Sequence, residues 1–374
     1  MRSTSAFKNE TQDKFQATMT HKIDLPLWFL WSALLLGLPL GGCVQRSEST
    51  ATIYCASDRE FAAPILDAFE RSNFKEGDGK DKQTDQVVRV FDVEASKTLG
   101  LVTRIEQESS NPKCDVFWNN EILHTIRLQK AGLLEPRRWS IPDGWPEGFQ
   151  ASDRSWVGFA ARARVLIINT EKLKDKAQWP TSVQDLASPS WKGDCGYANP
   201  VYGTTATHFA VLASHPEALG ATPWNQWSEE VRKNAVMLAG NKQVALAVSS
   251  GQIAWGLTDT DDAIIEKEKG MPVEMVFPDQ QPDQFGTVFI PNTVAVVRKA
   301  PHPVLAAKLA DYLVSEKTES RLAMSSSAHF PIWPGAAQQS RIETLGIRRA
   351  QVDFEKAAER WQSESTESTG PAAE

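Results

Sequence analysis

Three carboxylates fall within four residues in the stretch Gly256-Leu257-Thr258-Asp259-Thr260-Asp261-Asp262. Oxygen donors at this density suit a hard cation such as iron(III), calcium or manganese, or a protonated amine. The run before them, Ile253-Ala254-Trp255-Gly256-Leu257, reads as a short buried strand. Residues 263–269 read as a helix stopped by Gly270. A strand that ends in polar residues at a helix start is where open α/β folds place ligands. Asp and Thr are also ordinary N-cap residues, and acids in a first turn favour the helix dipole, so capping accounts for part of the pattern. Three carboxylates exceed what one cap needs.

A second constellation is Gly203-Thr204-Thr205-Ala206-Thr207 at the start of an apolar helix. Backbone N–H groups, hydroxyls and the positive helix end suit phosphate, carbonate or carboxylate, and Gly203 lets the backbone come close. A Thr-capped core helix would carry the same residues. Asp58 and Asn119-Asn120-Glu121 follow two further strands and complete an oxygen-rich set with Asp259, Asp261 and Asp262. His124, His208, His215, His302 and His329 are scattered and read as surface or packing residues. The sequence carries no G-x-S-x-G, P-loop or G-x-G-x-x-G pattern, and the paired carboxylates leave a hydrolase of glycosides or esters as a different-class alternative.

The elements that must position these residues alternate. Strand-like runs at 52–56, 87–93 and 114–118 are each followed by helical spacing, at 59–71, 97–108 and 122–131. The first three strand ends, Ser57-Asp58, Glu94-Ala95-Ser96 and Asn119-Asn120-Glu121, should share one sheet edge. Residues 156–169 hold the strongest strand, where the chain is expected to cross into a second lobe. Strands are expected at 236–238, 273–277 and 287–290. Pro291-Asn292-Thr293 should break the last of these before 294–297 resumes it. The spacing predicts a helix over 302–313 and another over 342–361. The expectation is an α/β fold of two lobes, each a mostly parallel sheet flanked by helices, with the ligand cleft between them. Lobe 1 would hold 51–157 and 292–335, lobe 2 158–291, a C-terminal helical segment 336–361, and a disordered tail 362–374.

The chain has 374 residues, 41% hydrophobic and 23% charged, with a formal net charge of −7. That is globular composition without a basic block, which argues against a nucleic-acid partner. The apolar run 25–40 ends in Leu40-Gly41-Gly42-Cys43, which resembles a bacterial lipobox. Residues 1–42 would then be a signal peptide, with 1–18 a possible upstream extension. Cys43 would be lipidated and 43–50 would form a tether. An ordinary secretory signal or an uncleaved anchor are the alternatives. Cys55, Cys114 and Cys195 lie far apart, without zinc spacing, and read as small buried residues.

The chain resembles the type II periplasmic solute-binding proteins of ABC importers, above all the ferric-ion-binding group with its phosphonate- and sugar-phosphate-binding relatives. The residues that carry the resemblance are Tyr54-Cys55-Ala56-Ser57-Asp58-Arg59-Glu60, Cys114-Asp115-Val116-Phe117-Trp118, Ala131-Gly132-Leu133-Leu134 and Pro189-Ser190-Trp191-Lys192-Gly193. Gly251-Gln252-Ile253-Ala254, Ile290-Pro291-Asn292-Thr293 and Ala300-Pro301-His302-Pro303 continue it. The resemblance implies binding without catalysis, a small ligand or metal ion captured outside the inner membrane by a monomer, and delivery to a permease and ATPase. It also implies iron(III) as the transported ligand, joined by phosphate or carbonate, with no resident cofactor. The relatives' metal positions fall on Asp58, on Asn120 with Glu121 beside it, and on Asp261-Asp262, where a Tyr-Tyr pair is replaced. Their anion positions fall on Thr204, Thr205, Ala206, Asn241 and Asp259. A zwitterion such as 2-aminoethylphosphonate, or a phosphate ester, is the alternative ligand.

Overall fold

The computed structural model describes residues 50–72, 85–91, 97–334, 336, 340–343 and 346–368. Cys43 and the lipobox, the strand end at 94–96 and residues 369–374 lie outside them.

Short apolar runs covered on both faces form strands, and the amphipathic stretches between them form helices. The first half of the chain supplies β1 (Thr50–Cys55), α1 (Arg59–Ser72), β2 (Gln86–Phe91), α2 (Lys97–Gln107), β3 (Val116–Asn119) and α3 (Leu123–Lys130). β4 (Trp156–Asn169) follows, then β5 (Cys195–Ala198), α4 (Gly203–Ser214), α5 (Trp224–Asn234), β6 (Val236–Leu238), α6 (Asn241–Ser249), β7 (Trp255–Asp259) and α7 (Thr260–Glu268). β8 (Val273–Val276), β9 (Phe289–Val296), α8 (Pro303–Leu313), α9 (Glu316–Met324) and α10 (Phe354–Ser368) complete the described chain.

The strands run in the order β2-β1-β3-β9-β4-β7-β5-β6, with β8 also beside β4. Each end is a parallel set: β2-β1-β3 on one side and β6-β5-β7 on the other. The two long strands between them, β4 and β9, run antiparallel to their neighbours. The first part of β4 pairs with β9 and its second part with β7 and β8, so this strand carries the chain from one half to the other. All fourteen of its residues are buried.

Burial divides into three clusters. One, around Phe117, Ile126, Val165 and Ile290, draws on both halves. A second gathers Phe61, Leu66, Trp118 and Leu309 around β1 and α1. A third gathers Leu166, Leu186, Trp227 and Trp255 around β5 and β7. Cys114, Cys55 and Cys195 are buried, one in each cluster in that order.

Three expectations change. β9 runs unbroken through Pro291, which lacks only a donor and pairs on as part of a continuous strand. The helix expected over 342–361 starts only at Phe354. Gly346 stands at φ +81°, and Arg349 pairs with Thr287 in a single parallel bridge, so residues 346–353 lie along the main body as irregular chain. α10 then runs to Ser368, into the stretch expected to lack order, and packs on both α3 and α4.

Where β4 passes from one half to the other its register shifts between Phe159 and Arg162. Ala160 sits there at φ +43°, a conformation that costs an L-residue about 1–2 kcal/mol. Glu319 on α9 holds the bulge: its buried carboxylate accepts from Ala160 N at 2.7 Å and from Trp333 N. Asn292 on β9 donates to Ala160 O. Burial raises the Glu319 carboxyl to about 7, against three backbone donors that lower it. Since its folded pKa lies above the unfolded one, the folded state holds the proton more tightly, and the contribution to stability falls as pH rises from about 4.5 to 7. Asp279, raised to about 6 by burial, acts in the same direction. Glu319→Gln should flatten the loss of thermal stability between about pH 5 and pH 8. Parallel Tm–pH curves for variant and wild type would remove Glu319 from this role.

Candidate functional site

β7 ends at Asp259, and α7 begins at the next residue. Gly256 lets that strand lie close under α6, because a Cβ there would meet Val244 Cγ1 at 2.4 Å and Gly196 O at 3.0 Å. Asp259 is the N-cap residue of α7, yet its side chain makes no capping hydrogen bond. It turns instead toward β4.

There it meets two arginines, Arg162 and Arg164, which the chemistry read from the sequence did not include. They alternate in Arg162-Ala163-Arg164 along the most buried strand of the chain, so both side chains leave the same face. Two guanidiniums inside an otherwise apolar strand were the available signal, since such groups are buried only with partners. Arg164 is fully buried and its Nη1 lies 2.5 Å from Asp259 Oδ1. The same nitrogen donates to Thr204 Oγ1 at 3.1 Å and Asn241 Oδ1 at 3.2 Å, and Nη2 donates to Thr205 Oγ1 at 3.2 Å. Thr204 Oγ1 at 2.5 Å and Asn241 Nδ2 at 2.9 Å donate to Asp259 Oδ2. Burial alone would raise the Asp259 carboxyl. The two arginine charges and these donors outweigh it and hold the pKa below the ordinary value.

Arg162 reaches Asp261 and also Asp259. Its Nη1 is 3.4 Å from Asp261 Oδ2 and 3.6 Å from Asp259 Oδ2, and Nη2 donates to Asn120 O. Its Nε and Asp261 Oδ1 are buried polar atoms without a hydrogen-bond partner. One oxygen each from Asp259, Asp261 and Asp262 lies within 4.8 Å of the others. Burial pushes Asp261 up to about 6, against the Arg162 charge, with repulsion from Asp259 and Asp58 adding to it. Burial and repulsion from Asp261 and Asp259 raise half-buried Asp262 well above its ordinary value. Formally, four carboxylates, with Asp58 counted, face two guanidiniums. The excess is negative, and the arrangement can accept a cation.

The residues singled out from the sequence separate into three groups. Asp58, from the turn before α1, stands near enough to act electrostatically on Asp261, Asp262 and Arg162. Asn120 joins through its carbonyl oxygen, while its side chain accepts from Thr98 at 3.1 Å. Glu121 does not join them. It is buried and takes donors from Asn119 Nδ2 at 2.7 Å, Leu123 N at 2.6 Å and His124 N at 3.2 Å, so from the position before the N-cap residue Ile122 it satisfies the first backbone donors of α3. His124 Nδ1 lies 3.0 Å away and lowers its pKa, although burial acts the other way. At the start of α4, Gly203 has φ +69° with open space around its Cβ position. Thr204, Thr205 and Asn241 are engaged by Arg164 and Asp259, as given above. Thr207 Oγ1 turns back to Gly203 O at 3.2 Å and toward Glu121 Oε2 at 3.4 Å, and Ala206 packs in the core.

Of the histidines, His208 is held neutral by burial and by Arg164, whose Nε lies 3.4 Å from its Nδ1. His329 is pushed down to about 3, by burial first and then by Arg162. Neither adds charge to the cluster.

Residues 125–358 match the family described as bacterial extracellular solute-binding protein. Iron uptake protein A1 of Synechocystis sp. is 27% identical over 259 residues, 66% of this chain and 69% of that protein. The major ferric iron-binding protein of Neisseria meningitidis serogroup A is 25% identical over 305 residues, 79% of this chain and 84% of that protein. Iron-bound HitA from Pseudomonas aeruginosa superposes with a TM-score of 0.72 at 22% identity, over 86% of this chain and 99% of that one. The likeness to HitA gives the fold: two α/β halves arranged as in type II periplasmic binding proteins. With the sheet order, the crossing strands and the charged cluster where they meet, the match over residues 125–358 leads to one assignment: the chain belongs to the bacterial extracellular solute-binding protein family.

Proposed function

We propose that this protein captures iron(III) outside the inner membrane and delivers it to the permease and ATPase of an ABC importer, held at the membrane through an acylated Cys43. No bond is made or broken in this role. The observation that carries the reading is the pair Asp261 and Asp262 beside Asp259, one oxygen of each within 4.8 Å of the others, with Asp261 Oδ1 buried and without a hydrogen-bond partner. Hard carboxylate oxygens are the donor set a hard trivalent cation takes. Two relatives are named for ferric iron or iron uptake, which supports the metal over an organic ligand. A phosphonate arm at Thr204 and Thr205 would have to displace Asp259 from both Thr204 and Arg164.

Residues 44–374, titrated with iron(III) supplied as a weak chelate, should show a thermal shift that manganese, calcium and 2-aminoethylphosphonate do not reproduce. A shift with the phosphonate and none with iron(III) would overturn the reading. A cation displaces protons from Asp261 and Asp262, whose pKa values are raised. Affinity should therefore fall as pH drops through about 6, by roughly tenfold per pH unit for each proton displaced. Affinity constant from pH 7.5 to 5 would exclude these two acids as ligands.

A further inference from the structure

We infer that the oxyanion seat at the start of α4 is filled by the protein itself, with the Asp259 carboxylate standing where an external oxyanion would bind. The seat is built from the buried Arg164 guanidinium, Thr204 Oγ1 and Asn241 Nδ2, with Thr205 holding the far side of the guanidinium. Such a set of donors recognises a carboxylate, carbonate or phosphate by charge and by directed hydrogen bonds. Here both Asp259 oxygens are already taken: Oδ1 by Arg164, and Oδ2 by Thr204 and Asn241. The carboxylate is 1% exposed, closed in by these donors. An external anion would have to remove a covalently tethered one at very high effective concentration.

This deepens the iron(III) reading in one respect: the negative charge at the seat comes from the chain, and an anion that accompanies the metal must bind elsewhere. The decisive test needs no metal, so the two readings fail separately. Thermal unfolding of residues 44–374 is compared for wild type and Asp259→Ala in chloride buffer of fixed ionic strength, with added phosphate, bicarbonate or formate. Asp259→Ala should gain several degrees with formate or phosphate, while wild type stays at its chloride value. Arg164→Met with Asp259→Ala, which removes the charge of the seat as well, should lose the response. The inference is overturned if phosphate stabilises wild type as much as the variant, if folded Asp259→Ala ignores all three anions, or if the double variant still responds. The wild-type arm keeps the idea falsifiable should Asp259→Ala not fold.

Discussion

Arg164→Met should destabilise the protein by about 3–5 kcal/mol, because it removes one partner of a buried ion pair and leaves the other charged. The side chain is fully buried and supports Asp259, Thr204, Thr205 and Asn241 at once. Its loss leaves Asp259 with two neutral donors and only the more distant Arg162 guanidinium, 3.6 Å away. At this chain length the shift in Tm should be on the order of 5–10 °C. The companion variant Arg164→Met, Asp259→Leu should recover most of the loss, since an apolar pair replaces the ionic one without an orphaned charge. A double-mutant cycle that gives simple additivity would mean that the pair is not the reason for the cost. The single variant should also move the Asp259 carboxyl upward, because the largest opposing influence on its buried charge is gone.

The second large effect concerns binding. Asp261→Asn with Asp262→Asn keeps shape and removes two of the three anionic donors gathered within 4.8 Å. Iron(III) affinity should fall by more than about a hundredfold, or roughly 2.7 kcal/mol. The fold should not suffer. Burial and mutual repulsion disfavour both charges, so neutral amides relieve strain, and Tm without metal should stay level or rise at pH 7.5. Unchanged affinity together with unchanged Tm would place the ligand elsewhere in the molecule.

The parts of this site that were legible in the sequence are those with local causes. An apolar run into Asp259-Thr260-Asp261-Asp262 marks a strand end and a helix start, and β7 and α7 meet there. The start of α4 at Gly203 was legible for the same reason. What could not be read is which acids are satisfied by partners distant in the chain. Glu121 looked equivalent to Asp261, yet three nearby backbone and side-chain donors absorb it at the start of α3. Asp259 looked like a ligand or a cap, and only the return of β4 alongside β7 shows it paired with Arg164. Arg162 and Arg164 hid inside a run whose apolar strength drew attention to the strand and away from its exceptions. The helix expected from Ile342 failed for a related reason. Its apolar spacing is real, but Gly346 and the bonds of Arg348 to Asp279 O and Gln280 Oε1 tie that segment to the β8–β9 connection.

The three cysteines among the described residues offer a way to time how this architecture comes apart. Each thiol sits in a different packing region, one shared by both halves and one on either side. All three are shut away from solvent, and burial also raises the Cys114 thiol well above its ordinary pKa and pushes Cys195 up to about 12, so thiolate is scarce at those two as long as the surroundings hold. In a form that begins after Cys43, a thiol reagent is therefore silent toward the native protein and reacts only through opening. Labelling rates followed by peptide mass report three separate clocks. If all three run together, the halves unfold as one cooperative unit. If Cys195 runs ahead of Cys55, the half built on β5 and β7 opens first, and bound metal should slow the clocks in proportion to what it ties together.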